Sequence, residues 1–162
     1  YVNVKICFFD EIRKGDIDDG DLYLVLYKER VYPMKQYISS IDKVIVMART
    51  FERKYLDEVF SLQAGTDVLV VNDSEESTIQ ATNSLYELGL NHLNLVPYIE
   101  KEDDGKYNHI RVAITPAEKE MVPEYINRII DVENRCIDTN TFVTIINKLN
   151  LNNREVTKNL LS

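Results

Sequence analysis

Cysteine is scarce in this sequence, with only Cys7 and Cys136 among 162 residues. Two thiols cannot make the disulfide framework of a small secreted domain. Each sits in an apolar setting, Ile6-Cys7-Phe8-Phe9 and Arg135-Cys136-Ile137, where a free thiol is expected to pack as a small core residue. Glycine is nearly as sparse. Gly15, Gly20, Gly65, Gly89 and Gly105 fit neither common phosphate-cradling spacing, and no G-x-S-x-G elbow occurs. The two histidines, His92 and His109, stand apart from cysteine and from any zinc-ligand pattern. No enzyme signature, metal or cofactor is therefore expected. Basic charge is short as well: 19 Lys and Arg face 27 Asp and Glu, a net charge of −8. That balance argues against a phosphate-neutralising surface, so no direct nucleic-acid contact is expected. No apolar run approaches the roughly 20 residues of a membrane span, and no signal-peptide pattern is present. A cytoplasmic setting without membrane contact is the expectation. The start on Tyr1 rather than Met implies a fragment of a longer chain.

What is present is ordinary globular composition, 44% hydrophobic and 28% charged, enough for a core without staples. Short apolar runs alternate with segments of helical period. Residues 2–9, 22–27, 43–48, 67–71, 92–96, 110–115 and 128–132 read as strands. Asp67-Val68-Leu69-Val70-Val71 is nearly continuous in apolar residues, as in a strand buried on both faces. Residues 52–62, 74–88 and 141–149 carry helical spacing, and residues 117–125 suggest a short helix interrupted by Pro123. Gly89 is placed to end the second of these helices. Asp73 or Ser74 is placed to start it, with Glu76 completing a capping box. The loop between the first two strands is too short for a crossover helix, so their relation is expected to be irregular or antiparallel.

From residue 43 to 96 the order is β-α-β-α-β, which handedness rules make parallel and right-handed. The predicted fold class is α/β. It is an open, mostly parallel sheet with helices on both faces, Rossmann-like or flavodoxin-like, with an antiparallel edge allowed. One domain is expected over residues 1–150, with 151–162 a linker or the start of another module.

Ligands of such sheets gather outside the carboxyl ends of the strands, where strand order reverses. The polar residues at those ends are Arg49, Thr50, Asn72, Asp73, Ser74, Tyr98 and Thr115, and these form the candidate effector-binding set. Arg49 could fork onto a carboxylate or phosphate, although salt bridging competes. Capping alone explains Asp73 and Ser74 without any ligand. Asp10-Glu11 and Asp73 also imitate the acidic pocket of a phosphoacceptor receiver domain. Against that stand the missing helix between the first two strands and the Tyr98 and Thr115 found where a late-strand lysine is needed.

One likeness spans about residues 22–149. Val68-Leu69-Val70-Val71-Asn72-Asp73, Leu85-Tyr86-Glu87-Leu88-Gly89-Leu90-Asn91-His92-Leu93, Val96-Pro97-Tyr98, Ala113-Ile114-Thr115-Pro116, Ile130-Asp131-Val132, Arg135 and Ile137-Asp138-Thr139 carry it. Together with the final helix they resemble the N-terminal input region of sigma-54-dependent bacterial transcriptional activators of Firmicutes type. The resemblance implies a regulatory input domain that senses a small effector. It also implies a PAS-like module, an AAA+ ATPase and a DNA-binding module elsewhere in the parent chain. Two other readings stay open: a protein–protein or homodimerisation module without a small ligand, and a receiver-like domain.

Overall fold

The computed structural model describes residues 4–13, 15–17 and 22–149. The start of the expected first strand at Val2-Asn3, part of the glycine-punctuated loop that follows, and the expected linker at 151–162 lie outside the described residues. The elements run β1 (Tyr23–Val25), α1 (Val31–Met34), β2 (Val44–Val46), β3 (Arg49–Thr50), α2 (Asp57–Phe60), β4 (Asp67–Val70), α3 (Glu75–Glu87), β5 (Asn94–Pro97), β6 (Val112–Thr115), β7 (Arg128–Asp131), β8 (Cys136–Ile137) and α4 (Thr139–Lys148). They fall into two compact units. One comprises Tyr1–Ala48 with Ile137–Ser162, and the other Arg49–Cys136.

The second unit is mixed α/β, built on a four-stranded sheet of order β5-β4-β6-β7. All three ladders are parallel, with Val68 opposite Leu95 on one side and Val112 on the other. Side chains of a strand alternate between faces, and β4 shows it: Val68 and Val70 enter one core cluster, Leu69 and Val71 the other. Leu56 and Val59 from α2 and Ala81 and Leu85 from α3 complete the first cluster.

The opposite face carries no helix. Tyr107, Ile110 and Ile126, from the connections after β5 and β6, cover it instead. The expectation of helices on both faces thus holds for one face only, and the four-stranded sheet has no antiparallel edge. The helix expected at residues 117–125 is reduced to one 3-10 turn, Lys119–Met121. Ala117 is left-handed, at φ 65°, so the chain turns away from helical geometry at its first residue. Residues 52–62 likewise form only a 3-10 turn and a single α-turn, although Leu56, Val59 and Leu62 are buried as their spacing requires.

Helix α3 is closed by local chemistry at both ends. Ser74 is the extended N-cap, and its Oγ accepts the Ser77 N–H at 3.2 Å; Asp73 is not the cap, and Glu76 does not close a box. At the other end Gly89 (φ 97°) donates to the Tyr86 carbonyl and Leu90 donates to the Leu85 carbonyl. That pair of bonds, with Leu85 and Leu90 both in the core, is a Schellman ending. The buried face of α3 is built from Ser77, Thr78, Ala81, Thr82, Ser84 and Leu85. Ile79, expected on that face, is exposed.

In the first unit β1 and β2 pair in parallel, and Tyr23, Val25 and Met34 form a small core. Asp138 caps α4 by accepting the Thr141 N–H at 2.7 Å, and the Thr141 hydroxyl accepts the Ala48 N–H at 3.1 Å. Residues 4–8 of the expected first strand are unpaired, with Val4, Ile6 and Phe8 exposed. Cys7, expected in the core, is exposed with them, whereas Cys136 is half-buried and its thiol points to the Thr50 carbonyl at 3.7 Å. Among the described residues no helix is long and apolar enough to cross a membrane.

Candidate functional site

The chain leaves β4 through α3 toward β5, yet leaves β6 in the opposite direction toward β7. β4 and β6 are neighbours, so their carboxyl ends form the point where strand order reverses, the usual ligand position in such a sheet. A cleft of about 360 Å³ opens at this rim. Asn72, Asp73, Ser74 and Glu75 line it from the end of β4 and the start of α3, Tyr98, Ile99, Glu100 and Lys101 from the end of β5, and Glu120 and Met121 from the loop after β6.

Four of the predicted residues converge there: Asn72, Asp73, Ser74 and Tyr98. The Asn72 Oδ1 accepts the Asp73 N–H at 2.8 Å, and its Nδ2 donates to the Ser77 carbonyl at 3.4 Å. Asn72 thereby holds the strand end against the helix start. The other three do not line the cleft. Arg49 lies on β3, donating from Nη2 to Gln80 Oε1 of α3 at 3.1 Å. Thr50 offers its carbonyl to Cys136. Thr115 is fully buried, and its Oγ1 accepts the Glu118 N–H at 3.1 Å, so it shapes the turn leading to Glu120.

Charge in the cleft is one-sided. Asp73, Glu75, Glu100 and Glu120 stand against one cation, Lys101, which is bonded to Glu75. The hydrogen bond to Glu75, followed by its charge, raises the Lys101 pKa. Glu118 beside them is held above the usual carboxylate range, first by burial and then by the charges of Glu120 and Asp73. The free N–H groups at the start of α3 favour anions, but this field opposes a phosphate.

Two further aspartates build the walls. Asp131, at the end of β7, accepts N–H bonds at Oδ1 from Ala117 (3.0 Å) and Glu133 (2.9 Å), and its Oδ2 pairs with Lys119 at 3.2 Å. Both N–H donors are left-handed residues, Glu133 at φ 59°. Burial works to raise the Asp131 pKa, but the two backbone bonds and Lys119 outweigh it and hold the carboxyl below its ordinary value. Asp103 Oδ2 accepts from the hydroxyls of Tyr98 and Tyr125, each at 3.3 Å. Burial first, and the Asp103 charge second, raise the Tyr98 pKa and push Tyr125 up to about 12. Tyr107 meets Tyr98 edge-on at 5.3 Å between ring centroids.

Glu75, Glu100, Lys101, Glu120, Asp103 and Asp131 were absent from the sequence-derived set. They lie in connections without periodicity, and the acidic run at residues 100–106 was the one signal that could have drawn attention to them. Among the described residues no group of three or more His, Cys, Asp or Glu side chains could hold a metal ion. Fold and rim together define a mixed α/β protein with an acidic cleft at the reversal point of a parallel sheet. Comparison with family models, with curated proteins and with solved structures gives no match for this chain.

Proposed function

We propose that this chain is a regulatory input module of a bacterial transcription activator, of Rossmann-like or flavodoxin-like architecture, sensing a small effector in the rim cleft. The observation that carries the reading is the position of the cleft, opening where β4 and β6 send their connections in opposite directions. Pockets at such switch points are the default ligand sites of parallel sheets. A sensor acts by binding its signal better in one arrangement than in another, and a cleft walled by three separate connections suits that requirement. ATP hydrolysis and DNA binding are assigned to other modules of the parent chain, an AAA+ ATPase and a DNA-binding module, and a PAS-like module would be a neighbour. The excess of acidic side chains supports leaving nucleic acid to those partners.

A docking or homodimerisation reading has its own support, because Val4, Ile6 and Phe8 are 81%, 83% and 71% exposed in one short segment. Thermal melting against a panel of amines, amino acids, sugars, nucleotides and carboxylic acids separates the two. The effector reading expects at least one compound to raise the melting temperature, with the shift lost in Asp73→Ala and Tyr98→Ala. No shift from any compound, with a tight dimer in ultracentrifugation, would favour docking.

A further inference from the structure

One cleft wall is built differently from the others. The short turn Glu100–Glu102 lies between two anchors, Ile99 and Asp103. Ile99 is buried, and its N–H reaches the Tyr107 hydroxyl at 3.3 Å. Asp103 is gripped by the hydroxyls of Tyr98 and Tyr125. Between these anchors the backbone satisfies itself: Glu102 donates to the Ile99 carbonyl at 2.9 Å and Asp103 to the Glu100 carbonyl at 3.0 Å. Neither bond runs to the sheet. The turn is tied across the cleft by one side chain, Lys101, bonded to Glu75 in the first turn of α3. Both partners are well exposed, at 69% and 47% of the side chain. Ion pairs this open to water hold weakly and exchange readily.

We propose that residues 100–102 form a flap over the cleft, latched by the Lys101–Glu75 ion pair and pivoting between the fixed anchors Ile99 and Asp103. The inference deepens the effector reading and rests on it, since a flap has a purpose only over an occupied cleft. Opening breaks one exposed ion pair and leaves the backbone bonds of the turn intact. It uncovers Glu75 at the helix start and removes the single cation from an otherwise acidic lining. A positively charged group entering the cleft would compete with Lys101 for Glu75, so ligand entry and unlatching would be one event.

The test is amide hydrogen exchange by NMR on the whole chain without added ligand, in Lys101→Met, Glu75→Gln and the double variant. Each single change is expected to speed exchange about two- to fivefold at Glu102, Asp103 and Asp104, the range an exposed pair supports. The double variant should be no faster than either single one, because both remove the same interaction. Amides of β4 and β6 should be unchanged. Asp103→Ala, which removes an anchor instead of the latch, should extend the loosening to Tyr107. Unchanged exchange in Lys101→Met, additive effects in the double variant, or acceleration spreading into β4 and β6 would each overturn the flap. Because no ligand is present, these results stand apart from the melting panel that judges the effector reading.

Discussion

At the scale of single residues, Asp131 does the most with one carboxylate. Its Oδ1 holds the N–H groups of two left-handed residues, Ala117 and Glu133, in loops after adjacent strands. A non-glycine residue in that conformation costs roughly 1–2 kcal/mol, so both turns depend on what Asp131 returns. Asp131→Ala removes the acceptor and is expected to cost about 1–3 kcal/mol in urea unfolding. Asp131→Asn keeps an acceptor oxygen and isolates the charge. The folded-state pKa lies below the ordinary 3.8, so the unfolded state takes up protons first as pH falls. The charge contribution is therefore fully present above about pH 4 and is lost as pH drops through the lower, folded value. Unfolding curves of the parent and Asp131→Asn should differ at pH 7 and converge toward pH 3; a gap independent of pH would refute the charge assignment. The carboxylate was visible in the sequence only as the polar end of a strand. Its partners were hidden because Ala117 and Glu133 carry no mark of a left-handed backbone.

At the scale of elements, the strands were legible wherever they are buried on both sides. Val68 to Val70 are fully buried, and a continuous apolar run cannot hide that environment. The helix after residue 74 was legible from its cap and from Gly89. Its inner face was misread because closeness to the sheet, more than bulk, chooses Ser77, Ala81 and Ser84. The segment at residues 117–125 failed as a helix for a reason outside itself, since its first N–H is taken by Asp131. β5 adds a feature that periodicity cannot carry. It is an edge strand, and unpaired edge groups invite association. The Tyr86 hydroxyl accepts the Leu95 N–H at 2.9 Å and donates to its carbonyl at 3.4 Å, while Pro97 has no N–H to offer. Tyr86→Phe should cost about 1–2 kcal/mol in thermal or urea unfolding and raise the aggregation rate at high concentration. An aggregation rate equal to the parent's would show that the edge is guarded by something other than this phenol.

At the scale of the whole molecule, the sequence reads as one domain over residues 1–150, whereas the chain gathers into two compact units. No composition shift marks the boundary, and the first unit is assembled from both ends of the chain, which linear reading does not reveal. The rim cleft belongs entirely to the second unit, whose sheet has its own core on each face. A fragment of residues 49–136 is therefore expected to melt cooperatively and to keep helix and strand signals in circular dichroism. A non-cooperative melt would mean that this core depends on the first unit. The resemblance that suggested a sensor rests on the strand ends of this same unit, which is why Asn72, Asp73, Ser74 and Tyr98 were found and the flap was not.

Tyr86 also binds two neighbours close to it along the chain. Its carbonyl receives Gly89 and its phenol receives Leu95, so the helix end, the turn and the edge strand are tied within ten residues. Loops that short close with little entropic loss, and contacts of low sequence separation form early in folding. The corner between α3 and β5 is thus the natural seed of the sheet, onto which β6 and β7 assemble later from farther along the chain.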